Sequence, residues 1–298
     1  MLAYTTELGT CYQGDALTVL RDLPDDSVNL VVTSPPYALR RKKAYGNVLA
    51  PDYIDWFLPF AEEIYRVLRP DGSFVFEVAP AWEKGAGTRS LFLYRLILEL
   101  CERFHLVQEV YWYNPSRLPS PAEYVTIKRT RVKDAVNVAW WLAKTSSPKA
   151  DNRRVLRPYS RSMKRLFREG VRVARRPSEH RIGEQFDRDN GGAIPPNLLE
   201  IANTTSRDPY LARCKAAGLT PHPARFPAAL PEFFVRFLTE ESDLVVDPFA
   251  GSNVTGWVAE RLSRRWLAIE MNEEYVSGSR LRFEDEPVTP ALPGSAAG

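Results

Sequence analysis

Cysteine is scarce. Cys11, Cys101 and Cys214 are the only three in 298 residues, far apart and without a CxxC spacing. That excludes a disulfide framework and argues against a zinc site. Histidine is as rare, with three in all, so no His-rich metal centre is expected and no metal ligand is assigned. Long apolar runs are missing too: stretches such as Val28 to Val32 are far too short to cross a bilayer. The first residues hold no basic stretch followed by an apolar one, so no secretory leader is expected. A cytoplasmic protein without a membrane partner follows. What remains is ordinary globular material, 44% hydrophobic and 26% charged. A chain of this length builds a core without staples.

Charge is nearly balanced, 40 basic residues against 37 acidic, net +3, but it is unevenly placed. Between Arg153 and Arg176 ten basic residues, beginning with Arg153 and Arg154, stand against one acid, Glu169. Arg40-Arg41-Lys42-Lys43 is a second cluster, and Lys128, Arg129, Arg131 and Lys133 form a third. One such run is a solvated face as often as a site. Three point to a phosphate-rich partner, and so to nucleic acid.

The β-branched run at 28–33 reads as a buried strand, ended by prolines that lack ladder donors. Apolar residues at 53–68 recur at helical spacing, from an Asp52 N-cap to a stop at Pro70. Strands at 73–78, 107–113 and 135–141 and a helix at 88–103 complete the first half. After Pro227 come a helix at 230–238, a strand at 243–246, a helix at 254–262, a strand at 266–270 and a helix at 273–283. This alternation predicts an α/β fold, a mostly parallel sheet with helices on both faces. Between 146 and 219 the pattern breaks, and the Arg-rich stretch with Gly191-Gly192 and Pro195-Pro196 reads as an excursion outside the sheet. Residues 285–298 read as a disordered tail. The chain thus divides into 1–145, an inserted region 146–219, a returning half 220–284, and the tail.

Two motifs carry chemistry. Asp247-Pro248-Phe249-Ala250-Gly251-Ser252-Asn253 follows an apolar strand and opens a helix. Its small residues let backbone approach a ligand, and the helix start offers free N–H groups. The spacing does not match the dinucleotide pattern GxGxxG. Glu270, ending the next strand, suits ribose hydroxyls. The second motif is Ser34-Pro35-Pro36-Tyr37. Its prolines present carbonyls without competing donors, Ser34 adds a hydroxyl, and Tyr37 offers a face for stacking. Such a row suits an exocyclic amine on a planar ring, although in isolation a bare proline turn would read the same way.

Together and in this order, the two motifs resemble the β class of amino-methylating DNA methyltransferases, which use S-adenosylmethionine (AdoMet). Serine in the first position resembles the cytosine-N4 subgroup. Ala38 to Asn47, Tyr111 to Ser116, Arg131 to Asn137 and His222 to Pro227 extend the likeness across roughly 11–283. The resemblance implies a Rossmann-like mixed seven-stranded sheet with circularly permuted motif order and an inserted target-recognition region at 146–219. It makes Ser34, Pro35, Pro36 and Tyr37 the catalytic set. It places Asp247, Phe249, Gly251 and Ser252 along the methionine half of AdoMet, with His222, Arg225 and Phe226 beside it and Thr33 next to the catalytic turn. Glu270 would take the ribose, and Asp15 lies where an acid meets the adenine amine. Arg40 to Lys43 would grip phosphates near a flipped base. The partner implied is double-stranded DNA, at a short palindrome such as CAGCTG, in a restriction-modification system. The companion endonuclease would share the site without binding stably, and the enzyme would be a monomer or weak homodimer. One departure is Asn253, where many members have glycine; asparagine tolerates positive φ better than most residues.

Alternatives stay open at this point. Serine does not exclude adenine-N6 methylation. A non-catalytic nucleic-acid-binding protein could keep the same fold. A nicotinamide-dependent oxidoreductase is opposed by the missing GxGxxG.

Overall fold

The computed structural model describes residues 1–37, 48–83, 85–169, 188–204 and 208–284. Among the described residues nine strands form one mixed sheet: β1 (Leu2–Thr5), β2 (Gly9–Gln13), β3 (Val28–Thr33), β4 (Leu68–Glu77), β5 (His105–Tyr113), β6 (Val136–Ala143), β7 (Leu198–Glu200), β8 (Leu244–Asp247) and β9 (Arg265–Glu270). Their order is β1-β2-β9-β8-β3-β4-β6-β5-β7. The seven strands expected form the middle, and the short edge strands β1 and β7 extend it. Around the centre β2, β9, β8, β3 and β4 run parallel, whereas β6 opposes both its neighbours.

Side-chain alternation covers both faces of the sheet. Val31, Phe74, Phe76, Val246 and Ile269 face one layer. It is made by α1 (Ala16–Arg21), α2 (Tyr53–Val67) and α3 (Phe92–Leu100). Leu30, Val32, Val75, Val245 and Ala268 face the other, made by α6 (Ala229–Leu238), α7 (Val254–Arg261) and α8 (Glu273–Arg280). Helix α2 buries Phe57, Phe60, Ala61 and Ile64, the expected helical stripe. Phe57, Phe60 and Ile64 each contribute about 1.5–3 kcal/mol when fully buried.

Several local expectations change. Asp52 makes no side-chain cap, because a short 3₁₀ turn, Ala50–Asp52, leads into α2. Helix α3 starts only at Phe92. The preceding loop is held by a bridge between Trp82 and Arg89 and by a bidentate pair from Arg89 to Asp134 at 2.8 and 2.9 Å. The region 146–219 is not wholly outside the sheet. Its Leu198–Glu200 pairs parallel with β5, and its helix α5 (Pro209–Ala216) packs on α8. Its other helix, α4 (Arg161–Glu169), carries no fully buried residue. The tail 285–298 and the cluster Arg40 to Lys43 lie outside the described residues. Among the described residues no helix is long and apolar enough to cross a membrane.

The crossovers leave β3 in one direction along the sheet and β8 in the other. An open α/β sheet binds ligands where this reversal occurs, at the carboxyl ends of the strands. Ser34 follows β3 and Pro248 follows β8, so both motifs meet at that point although they lie at opposite ends of the chain.

Candidate active site

One open cavity of about 980 Å³ lies along this edge, within the range of small-molecule sites. Ser34, Pro35, Pro36 and Tyr37 line it, together with Asp15, His222, Arg225, Phe226, Asp247, Phe249, Gly251, Ser252 and Glu270. Thirteen of the fourteen catalytic and cofactor positions expected from sequence are therefore brought together. Thr33 is the exception. It is buried, and its Oγ1 donates to Asp247 Oδ1 at 2.6 Å instead of facing the cavity.

At the end of β8, Asp247 organises the loop that follows. Its Oδ1 also accepts from Phe249 N at 3.1 Å, and burial lifts its pKa to about 6. Gly251 stands at φ +52°, and a Cβ there would lie 3.1 Å from the His222 ring. Only glycine leaves that space open. The Glu270 carboxylate accepts from Gly251 N at 2.9 Å and Asn272 N at 2.8 Å, and burial raises its pKa. Asn253 adopts φ 53°, ψ 45°, and its Oδ1 accepts from Gly256 N at 3.1 Å, so the loop keeps its shape without glycine there. Phe249 packs against Trp56 and Phe60, with ring centroids at 5.8 and 5.1 Å. His222 Nδ1 lies 2.6 Å from Ala224 O, and burial pushes its pKa down to about 4, so the ring is neutral near pH 7. Its Nδ1 is then the donor. Arg225 donates to the His222 carbonyl. Asp15 caps α1, accepting from Thr18 N at 2.9 Å, while still lining the cavity. This set fits AdoMet. It has a glycine cradle, a buried carboxylate at the end of β9 and an aromatic wall.

On the catalytic side the structure adds a residue the sequence reading missed. Glu77 ends β4, only 2% exposed. Its Oε2 accepts from Ser34 Oγ at 3.1 Å and from Tyr37 Oη at 2.6 Å, while Oε1 has no hydrogen-bond partner among the described residues. Burial pushes the Glu77 carboxyl above the usual carboxylate range, against the pull of the two hydroxyls and the Arg117 charge. Burial and Glu77 together hold the Tyr37 phenol well above 10. Because β6 runs antiparallel to its neighbours, its first residues reach the same edge. Asn137 there accepts from Arg117, and both line the cavity. The signal for Glu77 was an acid closing an otherwise apolar strand next to the catalytic one. The arrangement sets a hydroxyl, backed by a carboxylate, beside a cradle for a nucleoside.

The basic clusters fare unevenly. Arg153 is paired with Asp151, and Arg154 reaches Thr239 O and Glu240. Lys133 holds the carbonyls of Pro115 and Arg117, and Lys128 pairs with Glu123. Arg129, at φ 54°, and Arg131 are exposed. Arg161, Arg165 and Arg168 stand exposed along one side of α4.

The fold, the switch-point cavity and its two motifs define a methylase. The model of the DNA methylase family matches residues 28–280, and the chain belongs to that family. The type II methyltransferase M.PvuII of Proteus hauseri is 52% identical over 292 residues, covering 96% of this chain and 87% of that protein. The DNA adenine methyltransferase YhdJ of Escherichia coli (strain K12) is 25% identical over 291 residues, 94% of this chain and 84% of that protein. Among solved structures, PvuII DNA methyltransferase (cytosine-N4-specific) matches with TM-score 0.78 and 46% identity, over 97% of this chain and 90% of that one.

Proposed function

We propose that this chain transfers a methyl group from AdoMet to N4 of a cytosine flipped out of double-stranded DNA, as the modification enzyme of a type II restriction-modification system. One observation carries the reading: the Ser34 hydroxyl, held by Glu77, opens into the same cavity as the Gly251–Glu270 cradle. The 46% identity to the cytosine-N4-specific PvuII DNA methyltransferase supports cytosine as the base, and CAGCTG is the sequence proposed from the resemblance. The enzyme acts in the cytoplasm as a monomer or weak dimer, and the companion endonuclease shares its site without a stable complex.

Cytosine N4 is paired and stacked inside the duplex, so the base must be rotated out to react. Tyr37 offers it a stacking surface, and Ser34 Oγ and the Pro35 carbonyl accept the two amine hydrogens. AdoMet, held by Glu270, Gly251, Ser252 and the His222–Phe226 segment, supplies an electrophilic methyl group when bound. Positioning and preorganised acceptors provide most of the rate gain. The methylated amine carries one proton too many. Ser34 Oγ takes that proton while its own passes to Glu77 Oε2, and Glu77 later returns it to water. A carboxyl with a raised pKa suits this temporary load.

Residues 146–219 supply target recognition. Grip on the DNA backbone falls to Arg40 to Lys43, Arg129, Arg131 and the exposed side of α4, while Arg153, Arg154, Lys128 and Lys133 are held by partners within the chain. The test is tritium transfer from methyl-labelled AdoMet to a duplex containing CAGCTG and to a shuffled duplex. Label in the first alone supports the reading. Label in neither, with AdoMet bound, contradicts the DNA assignment; equal label in both contradicts the sequence.

A further inference from the structure

Arg282, just past α8, belongs to no motif, yet its side chain is only 4% exposed. A buried guanidinium persists only where its donors are satisfied. Here Nε donates to Ser252 O at 2.6 Å, and a terminal nitrogen donates to Ser252 Oγ at 3.1 Å. The same nitrogen donates to Asp208 Oδ2 at 3.0 Å, and the other terminal nitrogen reaches Oδ1 at 3.3 Å. The guanidinium also lies over the Tyr210 ring, 4.2 Å from its centroid.

These contacts join two segments, the Ser252 loop and the Asp208–Tyr210 turn. Ser252 is in the loop after β8 and lines the cavity. Asp208 caps α5, accepting from Tyr210 N at 3.1 Å. The buried Tyr210 in turn accepts through Oη from His222 N at 3.1 Å. The His222 ring closes over Gly251. The circuit runs from Ser252 through Arg282 and Tyr210 to His222 and back to the glycine beside Ser252. Gly278 on α8 permits it, since a Cβ there would approach Tyr210 Oη to 3.2 Å.

We infer that Arg282 is a positioning residue for AdoMet, fixing the spacing between the Gly251-Ser252 loop and the His222 wall by binding Ser252 and the Asp208–Tyr210 turn at once. It touches neither the reacting base nor the catalytic turn. Its loss therefore weakens AdoMet binding more than turnover. This role rests on the proposed function and goes beyond it, because no motif of the family reading contains Arg282.

Three proteins test it: wild type, R282K and Y210F. AdoMet affinity is read by calorimetry and turnover by methylation of duplex DNA, with thermal melts as the folding check. A lysine satisfies Ser252 or Asp208 but cannot span both with a planar fork. R282K is expected to raise the AdoMet Kd about tenfold, the worth of one hydrogen bond to a charged group. Its kcat at saturating AdoMet falls by less than the affinity does. Y210F keeps the ring and removes the oxygen that holds His222 N, so it raises the Kd as well. Folded R282K with wild-type Kd overturns the role. If R282K does not fold, unchanged affinity in Y210F overturns it. Wild-type protein that binds no AdoMet overturns the proposed function itself, whereas tight wild-type binding matched by both variants overturns only Arg282.

Discussion

Glu77→Gln is the sharpest perturbation of the proposed proton path. Two hydroxyls share one carboxylate oxygen, at 3.1 Å from Ser34 and 2.6 Å from Tyr37. A hydrogen bond to a charged group is worth about 1.5–3 kcal/mol, against about 0.5–1.5 kcal/mol for a neutral pair. The amide keeps the shape and an acceptor but loses roughly half the hold on each hydroxyl. It also removes the group that takes the proton, a loss of roughly 10²–10⁴ in rate. A fall near 10³ in single-turnover methylation is expected, with AdoMet affinity nearly unchanged because the hydrogen bonds of Glu77 go to Ser34 and Tyr37 of the catalytic turn and not to the cradle. The pH profile adds a second readout. Burial raises the Glu77 pKa, so wild-type turnover declines as pH falls through that raised value and the carboxyl arrives already protonated. E77Q lacks this acid limb. The folded protein also gains from neutralising a buried charge, so the variant should melt no lower than wild type at neutral pH. E77Q within about threefold of the wild-type rate, with the acid limb intact, would refute the path.

Three further outcomes follow from the same geometry. Asp247, raised from 3.8 to about 6 by burial, contributes stability that is present below its unfolded pKa and lost as pH rises through the folded one. The full swing is about 3 kcal/mol, of which about 2 kcal/mol lies between pH 4.5 and 7.5, and D247N should flatten that part in urea melts compared at these two pH values. Gly251→Ala forces a Cβ into a φ of +52° and to 3.1 Å from His222; AdoMet binding measured by calorimetry should weaken by about 1–2 kcal/mol. Replacing Arg161, Arg165 and Arg168 on α4 by glutamine should lower the slope of log Kd against log salt by about 3 for duplex binding, without changing the methylated base.

Much of the site was legible in sequence because its residues sit in short local patterns. Ser34 to Tyr37 and Asp247 to Ser252 each follow a strand, and strand ends at one edge of a sheet converge whatever their separation along the chain. Asn253 showed the same transparency, since its local conformational tolerance sufficed to keep the loop. What stayed hidden depends on tertiary contact. Glu77 is a single acid at the end of an apolar strand, and only the register of β4 against β3 sets it behind Ser34. Thr33 looked like a cavity residue by position, but strand alternation turns it toward Asp247. Leu198–Glu200 is too short to show a period, so its place at the sheet edge was invisible. Arg153 and Arg154 resembled their neighbours in a basic run, and only the fold reveals that Asp151 and Glu240 claim them. Arg282 lies just past a helix end with no motif around it, and its partners come from two other segments.

The most direct test of the central claim is the identity of the product. Wild-type protein and Ser34→Ala are incubated with AdoMet and plasmid DNA, and the digested nucleosides are separated by mass spectrometry. N4-methylcytosine is expected from the wild type and a strongly reduced amount from S34A, with AdoMet binding nearly intact in both. N6-methyladenine as the product, or full activity in S34A, would contradict that claim.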